Sequence, residues 1–307
     1  MHKHRMEAFN VIFKEREMKF YRVYIELTNV CGLQCSFCPT QQLPSQKMSL
    51  PFFEKVLEEV QPYTKEIACH VMGDPLTLPN LEDYLEKIHQ KGLKALLTTS
   101  GYWVDRHCDE TLFHPCVKQI NISLNSFNKN DKSRSFEAYM EPIMALCQKN
   151  IAKGSPLFIN LRLWNLDDRL SESAFNQKLF TYLGEVFNEP SLLEKAQEHH
   201  TRGSLRLAPK VLLHFDRYFE WPSLENPLYG DGFCHGLSSH IAILASGEVV
   251  PCCLDGEGVM ALGSLQNSSL KEILETKRSV AIRQGFEEGR AVEELCLRCS
   301  YKKRFEK

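Results

Sequence analysis

The sequence has no long hydrophobic run and no excess of charge of one sign. No apolar stretch approaches the roughly 18 residues that a membrane-spanning helix needs. The apolar segment near the amino terminus, residues 11–13, is too short for the core of a signal peptide. The 37 Lys and Arg residues nearly balance the 39 Asp and Glu residues, so the net charge is −2. We therefore expect a cytoplasmic protein with no membrane among its partners. The balanced charge gives no global electrostatic case for nucleic acid either, and leaves only specific binding through a local patch as an alternative.

Low-complexity linkers and internal repeats are also missing from the sequence. Of its 307 residues, 43% are hydrophobic and 25% are charged, an ordinary composition that argues against disorder. At about 150 residues per domain, this length predicts two domains, or one large α/β barrel that absorbs most of the chain. Such a chain can bury enough core to fold without disulfide or metal staples.

Cysteine is the exception to this ordinary composition, with 12 residues. In a reducing cytoplasm a protein of this size needs no disulfide framework, so clustered cysteines indicate ligands of a metal or of an iron–sulfur cluster. Three fall within residues 31–38, and five lie after residue 230. The other four are isolated and are expected to be free thiols of the core or surface: Cys69, Cys108, Cys116 and Cys147.

Strand-like and helix-like segments alternate about six times between residues 20 and 220. Strands are predicted over residues 21–27, 66–71, 93–99, 117–124 and 157–164, with a sixth somewhere within residues 205–215. Helices are predicted to open at Ser49 and Asn80, to cover residues 135–150 with a kink or break at Pro142, and to cover residues 171–200 with an interruption near Pro190. This alternation predicts the α/β class: a parallel sheet with crossover helices, as a barrel or a doubly wound sheet, with chemistry at the C-terminal strand ends.

The character of the sequence changes near residue 225. Beyond it glycines and cysteines become more frequent, and a hairpin of two short strands is predicted across residues 245–247. We therefore predict an N-terminal extension over residues 1–20, a barrel domain over residues 21–225 and a small cysteine-containing domain over residues 226–307. The basic end of the chain, residues 302–304, is expected to be a solvated tail.

Three cysteines follow the first predicted strand with the spacing C-x3-C-x2-C. The thiolates of Cys31, Cys35 and Cys38 can bind one side of a four-iron cluster from a single loop. A structural zinc ion would need a fourth ligand, and none is adjacent. Three ligands leave one iron open to a substrate or cofactor. The loop leaves the C-terminal end of a strand, where a barrel has its active face.

The segment of residues 25–39, with Phe37 just before the third cysteine, resembles the signature of the radical S-adenosylmethionine (radical SAM) superfamily. Gly32 stands where that family often has Asn. The resemblance implies a partial (β/α)6 TIM-like barrel, a [4Fe–4S] cluster on the three cysteines, and S-adenosyl-L-methionine (SAM) on the open iron, with Phe37 beside it. It also implies an activity: one electron cleaves SAM, and the resulting 5′-deoxyadenosyl radical abstracts a hydrogen atom from the substrate. The implied partner is a reductant such as flavodoxin or ferredoxin.

Further segments resemble those that bind SAM in this family. Met72, Gly73 and Asp74 resemble part of a Gly-Gly-Glu-Pro segment whose backbone receives the SAM amino group, although a Met side chain narrows the approach that glycine permits. Ser123 resembles a fourth-strand serine that reaches the SAM carboxylate or ribose, and Arg162 could pair with the carboxylate. The alternatives are a plain strand-to-helix turn for residues 72–74 and ordinary strand-end or solvated roles for Ser123 and Arg162.

A second group of cysteines lies in the C-terminal region: Cys234, Cys252, Cys296 and Cys299. Four thiolates match either a fully ligated four-iron cluster or a tetrahedral zinc ion. The pattern C-x12-G-x4-C followed by C-x2-C resembles the SPASM extension of radical SAM enzymes in its shorter, twitch form. That resemblance implies one auxiliary [4Fe–4S] cluster. The spacing after Gly247 favours Cys252 over Cys253 as the ligand, and leaves Cys253 as a packed thiol.

The resemblance implies an enzyme that oxidises a side chain of a peptide or protein, with the auxiliary cluster as an electron acceptor. The alternative is dehydrogenation of a small sugar or cyclitol alcohol. That reaction needs a base, and four candidates lie near predicted strand ends: Asp167, Asp168, His214 and Asp216. A remote alternative is a non-catalytic zinc or iron–sulfur protein that binds a partner, but it does not explain the three-cysteine loop.

Overall fold

The computed structural model describes residues 18–40, 42–127, 129–130, 133–165, 172–198 and 203–305. The predicted extension over residues 1–20 lies almost entirely outside these ranges, as do the candidate bases Asp167 and Asp168. In the described part the strands are β1 Arg22–Ile25, β2 Glu66–Ala68, β3 Lys94–Thr99, β4 Val117–Ser123, β5 Phe158–Leu163, β6 Gly203–Ala208, β7 Val211–Phe215, β8 His240–Ile243, β9 Glu248–Val250 and β10 Gly263–Ser264. The helices are α1 Leu50–Val60, α2 Leu81–Gln90, α3 Asp109–Leu112, α4 Phe136–Ala152, α5 Ser173–Val186, α6 Leu192–Glu198, α7 Leu270–Leu274, α8 Lys277–Glu287 and α9 Glu294–Leu297.

All ten strands form one mixed sheet in the order β10-β9-β8-β1-β2-β3-β4-β5-β7-β6. Strands β1 to β5 and β7 are parallel to their neighbours in this group, and crossover segments connect them. The sheet does not close, because β10 and β6 form its two ends. The prediction of a partial barrel with six parallel strands is therefore confirmed.

The segment of residues 205–215 contains two strands, where the sequence predicted one. β6 and β7 form an antiparallel hairpin, and only β7 pairs parallel with β5. The turn between them places Lys210 at φ +63°, in the left-handed region that a non-glycine residue rarely adopts. The sequence did carry a signal for this break: Pro209 directly precedes Lys210, and proline favours the first central position of a turn.

The C-terminal hairpin continues the barrel sheet. β8 pairs parallel with β1, from Arg22 opposite His240 to Ile25 opposite Ile243, and β9 pairs antiparallel with β8. The predicted turn is confirmed, with Gly247 at φ +91°. A Cβ on Gly247 would lie 2.6 Å from the Phe52 ring, so α1 packs directly on the turn. The proposed boundary near residue 225 therefore does not coincide with a break in the sheet.

Successive residues of β1 face the apolar core and the cavity in turn. Val23 and Ile25 are fully buried and belong to the same apolar cluster as Phe53 of α1. Burying each such side chain stabilises the fold by about 1.5–3 kcal/mol. Because successive strand residues point to opposite faces, Arg22 and Tyr24 lie on the inner face and line a cavity.

Both helices with a predicted start residue form, and Asn80 directly precedes α2, although its side chain makes no capping hydrogen bond. Ser49 accepts a hydrogen bond from the backbone N–H of Phe52 at the start of α1. The break near Pro190 separates α5 from α6, but α4 runs without interruption through Pro142. Among the described residues, no helix is both long and apolar enough to cross a membrane.

The prediction of a solvated basic tail is wrong. Residues Ser300–Phe305 form a short 3-10 helix. Lys302 is buried there, and Arg304 pairs with Asp216 at the end of β7, with an N–O distance of 2.7 Å. Lys302 and Arg304 thus bind acceptors within the protein, which their position near the end of the sequence does not indicate.

Candidate active site

One cavity of about 280 Å³ lies at the C-terminal ends of the parallel strands, where the fold class predicts the chemistry. One wall comes from the loop of residues 31–38 and from residues that follow β2, β3, β4 and β5. The other wall comes from residues 218–221, 253–254 and Tyr301. Barrel and C-terminal region therefore build the cavity together.

The loop after β1 brings three cysteines to this cavity. Cys31, Cys35 and Cys38 all line it, as the sequence predicts. The indole N–H of Trp103 donates to the carbonyl of Cys31 over 2.9 Å, and Gly32 turns the loop at φ +73°. Burial raises the pKa of the Cys31 thiol to about 12, and the nearby acidic groups Asp74 and Cys38 add to the effect. A bound cation reverses this preference, because coordinated thiols lose their protons.

Gly73 allows the loop after β2 to pack onto the end of β1. A Cβ on Gly73 would lie 1.9 Å from the carbonyl oxygen of Thr28, so no other residue fits without moving the backbone. The backbone N–H of Asp74 donates to the carbonyl of Val30 over 3.1 Å. Two loops that line the cavity are thereby fixed to each other.

Asp74 connects the loop after β2 to the loop after β3. Its Oδ1 accepts from the N–H of Leu76, and its Oδ2 accepts from the Thr99 hydroxyl and from both the N–H and the hydroxyl of Ser100, all within 3.0 Å. Burial raises the pKa of this carboxyl group, and these hydrogen bonds oppose the rise. Asp74 lines the cavity, and both of its oxygens are engaged by the protein.

Met72 faces the C-terminal region. A Cβ on Gly256 would lie 2.3 Å from the Met72 Cγ, so the two residues are in close contact. The N–H of Met72 donates to Oε1 of Glu26 over 2.9 Å, and the N–H of Ala245 donates to Oε2 over 3.1 Å. Glu26 is buried and joins the barrel loop to the C-terminal hairpin. Glu26 was not predicted as a site residue, because its position relative to the cysteines does not indicate contacts with the C-terminal hairpin.

The other predicted SAM-binding residues also line the cavity. Phe37 packs against Tyr218, with ring centroids 5.4 Å apart. Ser123 at the end of β4 is the register partner of Arg162 on β5. The guanidinium of Arg162 lies over the ring of Trp164, 5.0 Å from its centroid, and burial lowers the pKa of Arg162 to about 10.

Three residues that the sequence analysis missed form the inner end of the cavity: Arg22, Tyr24 and His70. Tyr24 and His70 meet edge to face, with ring centroids 5.4 Å apart. Burial lowers the pKa of His70 to about 3, helped by the charges of Arg162 and Arg22, so His70 is neutral at physiological pH. One feature of the sequence does indicate that Arg22 and Tyr24 face a site. They alternate with the apolar residues Val23 and Ile25, so their side chains lie on the opposite face of β1.

A second, smaller cavity of about 30 Å³ lies in the C-terminal region. The four predicted ligands line it together: Cys234, Cys252, Cys296 and Cys299. Burial, together with the proximity of Cys252 and Cys299, raises the pKa of Cys234 to about 12. Lys302 closes one side, and its ammonium group donates to the carbonyls of Cys296 and Cys299 over 2.7 and 2.8 Å.

The adjacent residues Cys252 and Cys253 face different cavities. Cys252 lines the small cavity with the other three thiols, whereas Cys253 lines the large one. Leu254 lines both, so a single side chain contributes to the wall between them. Neither the spacing nor the composition indicated that Cys253 faces the large cavity.

The remaining candidates have other partners. The indole N–H of Trp164 donates to Nδ1 of His214 over 3.2 Å, and Asp216 is paired with Arg304. Of the isolated cysteines, Cys69, Cys116 and Cys147 are buried and Cys108 is exposed, as expected of thiols with no ligand role.

The chemistry of both thiol groups fits iron–sulfur clusters. Cysteine thiolates are the usual ligands of such clusters, with three or four per cubane. No group of three or more Cys, His, Asp or Glu side chains in the part of the chain described is arranged to hold a single metal ion. In a cubane each thiolate binds a different iron, so its ligands stand farther apart than those around one ion.

Comparison with known families agrees with this geometry. Residues 25–169 match the radical SAM superfamily, and residues 234–300 match the SPASM iron–sulfur cluster-binding domain. The chain belongs to the radical SAM superfamily and carries a SPASM domain. The first domain implies a [4Fe–4S] cluster and SAM, and the second implies auxiliary iron–sulfur binding. The superfamily members that it resembles are enzymes.

Among characterised relatives, the GTP 3′,8-cyclase of Synechocystis sp. is 31% identical over 112 residues, which cover 35% of this chain and 34% of that protein. The AdoMet-dependent heme synthase of Methanosarcina barkeri is 26% identical over 125 residues, 39% of this chain and 36% of that protein. The chain thus spans little more than a third of the length of these relatives.

Solved structures of similar fold cover nearly the whole chain. BtrN in complex with AdoMet and 2-DOIA superimposes with a TM-score of 0.59 at 14% identity, over 92% of this chain and 94% of that one. Streptococcus suis SuiB bound to the precursor peptide SuiA superimposes with a TM-score of 0.57 at 12% identity, over 94% of this chain and 73% of that one. At such low identity these likenesses establish the fold.

Proposed function

We propose that this protein uses a [4Fe–4S] cluster bound by Cys31, Cys35 and Cys38 to cleave SAM reductively. When bound, such a cluster gives SAM one electron, and SAM then breaks into methionine and a 5′-deoxyadenosyl radical that abstracts a hydrogen atom from the substrate. The observation that carries the proposal is that the three thiols share one cavity with residues from both parts of the chain. A radical formed there is enclosed with its target.

The protein's own residues orient SAM and exclude water. We propose that the backbone of residues 72–74 receives the SAM amino group, and that Phe37 and Ser123 line the rest of the SAM site. The tight packing of Gly73 on Thr28 and the four hydrogen bonds of Asp74 support this role, because they hold the loop rigid beside the three cysteines. Arg162 lies toward the C-terminal region, and we propose that it contacts the substrate rather than SAM.

We propose that Cys234, Cys252, Cys296 and Cys299 bind an auxiliary [4Fe–4S] cluster. Four ligands leave no iron open, so such a cluster serves as an electron acceptor and as a structural brace. The position of Leu254 in the walls of both cavities supports transfer of an electron from a substrate radical. From the change in composition near residue 225, we also propose three parts of one continuous structure: residues 1–20, 21–225 and 226–307.

The proposed reaction is oxidation of a side chain of a peptide or protein. The cavity of about 280 Å³ is near the lower limit of small-molecule pockets and must also admit SAM, so only a small part of a substrate can enter. One observation favours a second candidate, dehydrogenation of a small cyclic alcohol. The wall formed by Tyr218, Phe219, Trp221 and Tyr301 offers aromatic faces on which a sugar-like ring can stack.

A one-electron reductant such as flavodoxin or ferredoxin is the proposed partner. A reducing, cytoplasmic location is proposed with it. All 12 cysteines lie among the described residues and none is disulfide-bonded, as both proposals require.

The test is anaerobic reconstitution with iron and sulfide, followed by dithionite and SAM, with 5′-deoxyadenosine measured by mass spectrometry. The wild-type chain should release 5′-deoxyadenosine. The triple variant Cys31→Ala, Cys35→Ala, Cys38→Ala should release none and should lose about four irons, the content of one cubane.

The matched control is Cys108→Ala, which removes an exposed thiol remote from both cavities. It should keep full iron content and full SAM cleavage. Cleavage that persists in the triple variant, or a colourless protein that binds only zinc, would contradict the proposal.

A further inference from the structure

Arg162 is a half-buried cation with no acidic partner. Among the described residues no Asp or Glu side chain forms an ion pair with it, and its guanidinium lies over the ring of Trp164. Buried charges in proteins are normally paired, because an isolated charge loses its hydration without compensation. The missing partner is therefore expected to be a ligand of the cavity that Arg162 lines.

The surroundings of Arg162 add positive charge. Arg22 lies close enough to lower the pKa of Arg162. Its guanidinium contacts Glu66 over 3.2 Å, but the same carboxylate also pairs with Lys118. The Glu66 carboxylate thus pairs with two cations, Arg22 and Lys118, and Arg162 is a third cation nearby. This end of the cavity carries an excess of positive charge.

Polar atoms without partners lie at the same place. Nδ1 of His70 and Nε of Arg22 are buried and accept or donate no hydrogen bond, and both residues line the cavity. Nearly all buried polar atoms in proteins are hydrogen-bonded, so two orphan groups beside an unpaired arginine indicate a site built for a polar ligand. Neutral His70 can donate one hydrogen bond to it.

The SAM carboxylate is the alternative partner, and the position of Arg162 disfavours it. The groups that most affect the pKa of Arg162 are Tyr24, Arg22, Tyr301 and Cys253, and none of these lies on the loop of residues 31–38. Cys253 and Tyr301 belong to the C-terminal wall. Arg162 therefore lies on the side of the cavity away from the loop that binds the cluster in the proposed function.

We infer that the inner end of the cavity binds an anionic group of the substrate, a carboxylate or a phosphate monoester, between Arg162, Arg22 and His70. The inference rests on the proposed function only in calling this ligand the substrate. It narrows the substrate to an acidic molecule or an acidic peptide segment whose reacting carbon lies beside SAM. Arg162 supplies the charge, and the aromatic wall receives the uncharged part.

The experiment is isothermal titration calorimetry of the reconstituted, SAM-loaded protein with benzoate, with phenyl phosphate, and with benzamide as the uncharged control. The variants are Arg162→Gln and Arg162→Lys, and the matched control is the exposed Arg290→Gln. At least one anion should bind the wild type, and Arg162→Gln should weaken it tenfold or more, the loss of about one charge-assisted hydrogen bond. Arg162→Lys should retain part of the affinity, and Arg290→Gln should retain all of it.

The relative affinity of the two anions identifies the group, carboxylate or phosphate. Equal anion affinity in wild type and Arg162→Gln, or benzamide binding as tightly as benzoate, would overturn the inference. So would anions that compete with SAM, or SAM affinity that falls in Arg162→Gln, because Arg162 would then hold the SAM carboxylate. Formation of 5′-deoxyadenosine is measured separately in each sample. Its absence from the wild type refutes the proposed function without affecting the anion result.

Discussion

Met72 and Gly256 interlock across the junction of barrel and C-terminal region: a Cβ on Gly256 would lie 2.3 Å from Cγ and 2.6 Å from Sδ of Met72. The methionine of the proposed SAM-binding segment is therefore accommodated by a glycine some 180 residues later, which only the folded chain brings near it. The side chain at position 72 therefore determines which residue fits at position 256, and we call Met72 and Gly256 one packing unit.

The first prediction concerns this unit. Gly256→Ala should force Met72 aside and lower the free energy of unfolding by about 1–3 kcal/mol, the usual cost of overpacking. Adding Met72→Ala should restore most of the loss, because the shorter side chain makes room for the new methyl group. Chemical denaturation of the four proteins of this double-mutant cycle measures the coupling. Simple additivity of the two changes would show that the contact carries no energy.

Asp74 yields the second prediction. In Asp74→Asn one amide NH2 replaces an oxygen, so at least one of the hydrogen-bond donors now gathered at the carboxylate loses its acceptor. We expect the free energy of unfolding to fall by about 1–3 kcal/mol for the unsatisfied groups, and SAM to bind more weakly at unchanged iron content. Denaturation and equilibrium dialysis with labelled SAM give the two values.

The control for Asp74 is Asp105→Asn, which removes a partly exposed carboxylate paired with Arg134. It should change neither value appreciably, since such pairs contribute little. If SAM affinity is unchanged in Asp74→Asn, the segment of residues 72–74 is only a structural turn.

The neighbouring thiols Cys252 and Cys253 give the third prediction. Cys252→Ser should destabilise or remove the auxiliary cluster, with a loss of up to about four irons per chain. Cys253→Ser should keep the iron of both clusters, because its thiol faces the other cavity. Iron analysis and Mössbauer spectra of the two variants distinguish them. Loss of iron from Cys253→Ser alone would reverse the ligand assignment.

Lys302 is the subject of the fourth prediction. Its buried ammonium group lies over the carbonyls of Cys296 and Cys299, and a cation at that distance stabilises the more negative, reduced state of a cluster. Lys302→Met should therefore shift the reduction potential of the auxiliary cluster to a more negative value and leave the SAM-binding cluster unchanged. Redox titration followed by electron paramagnetic resonance measures both potentials.

The control is Lys303→Met, which removes the adjacent, exposed charge. Its auxiliary potential should match that of the wild type. Equal shifts in both variants would mean that only the net charge of the region matters.

The sequence predicted the features that depend on local patterns. The three-cysteine loop, the alternation of strands with helices, and the hairpin at Gly247 each depend on residues close together in the chain, and each appears where expected. The cysteine spacing also predicted which seven thiols gather at two cavities.

Features that depend on packing between distant segments could not be predicted. Glu26 joins Met72 to Ala245, and Arg162 lies beside Arg22, through contacts that no local pattern encodes. The basic end was misread for the same reason, since the acceptors of Lys302 and Arg304 become adjacent only after folding. The hairpin of β6 and β7 is different, because a local signal for it exists: Pro209 marks the turn, although Lys210 rather than a glycine or asparagine takes the left-handed conformation.

The parallel pairing of β1 with β8 also constrains the order in which the polypeptide matures on the ribosome. β8 is translated about 220 residues after β1, so one edge of β1 stays open until β8 has been made. An unpaired edge strand can pair with other nascent chains. Pairing with β8 thus protects the first strand of the sheet from aggregation.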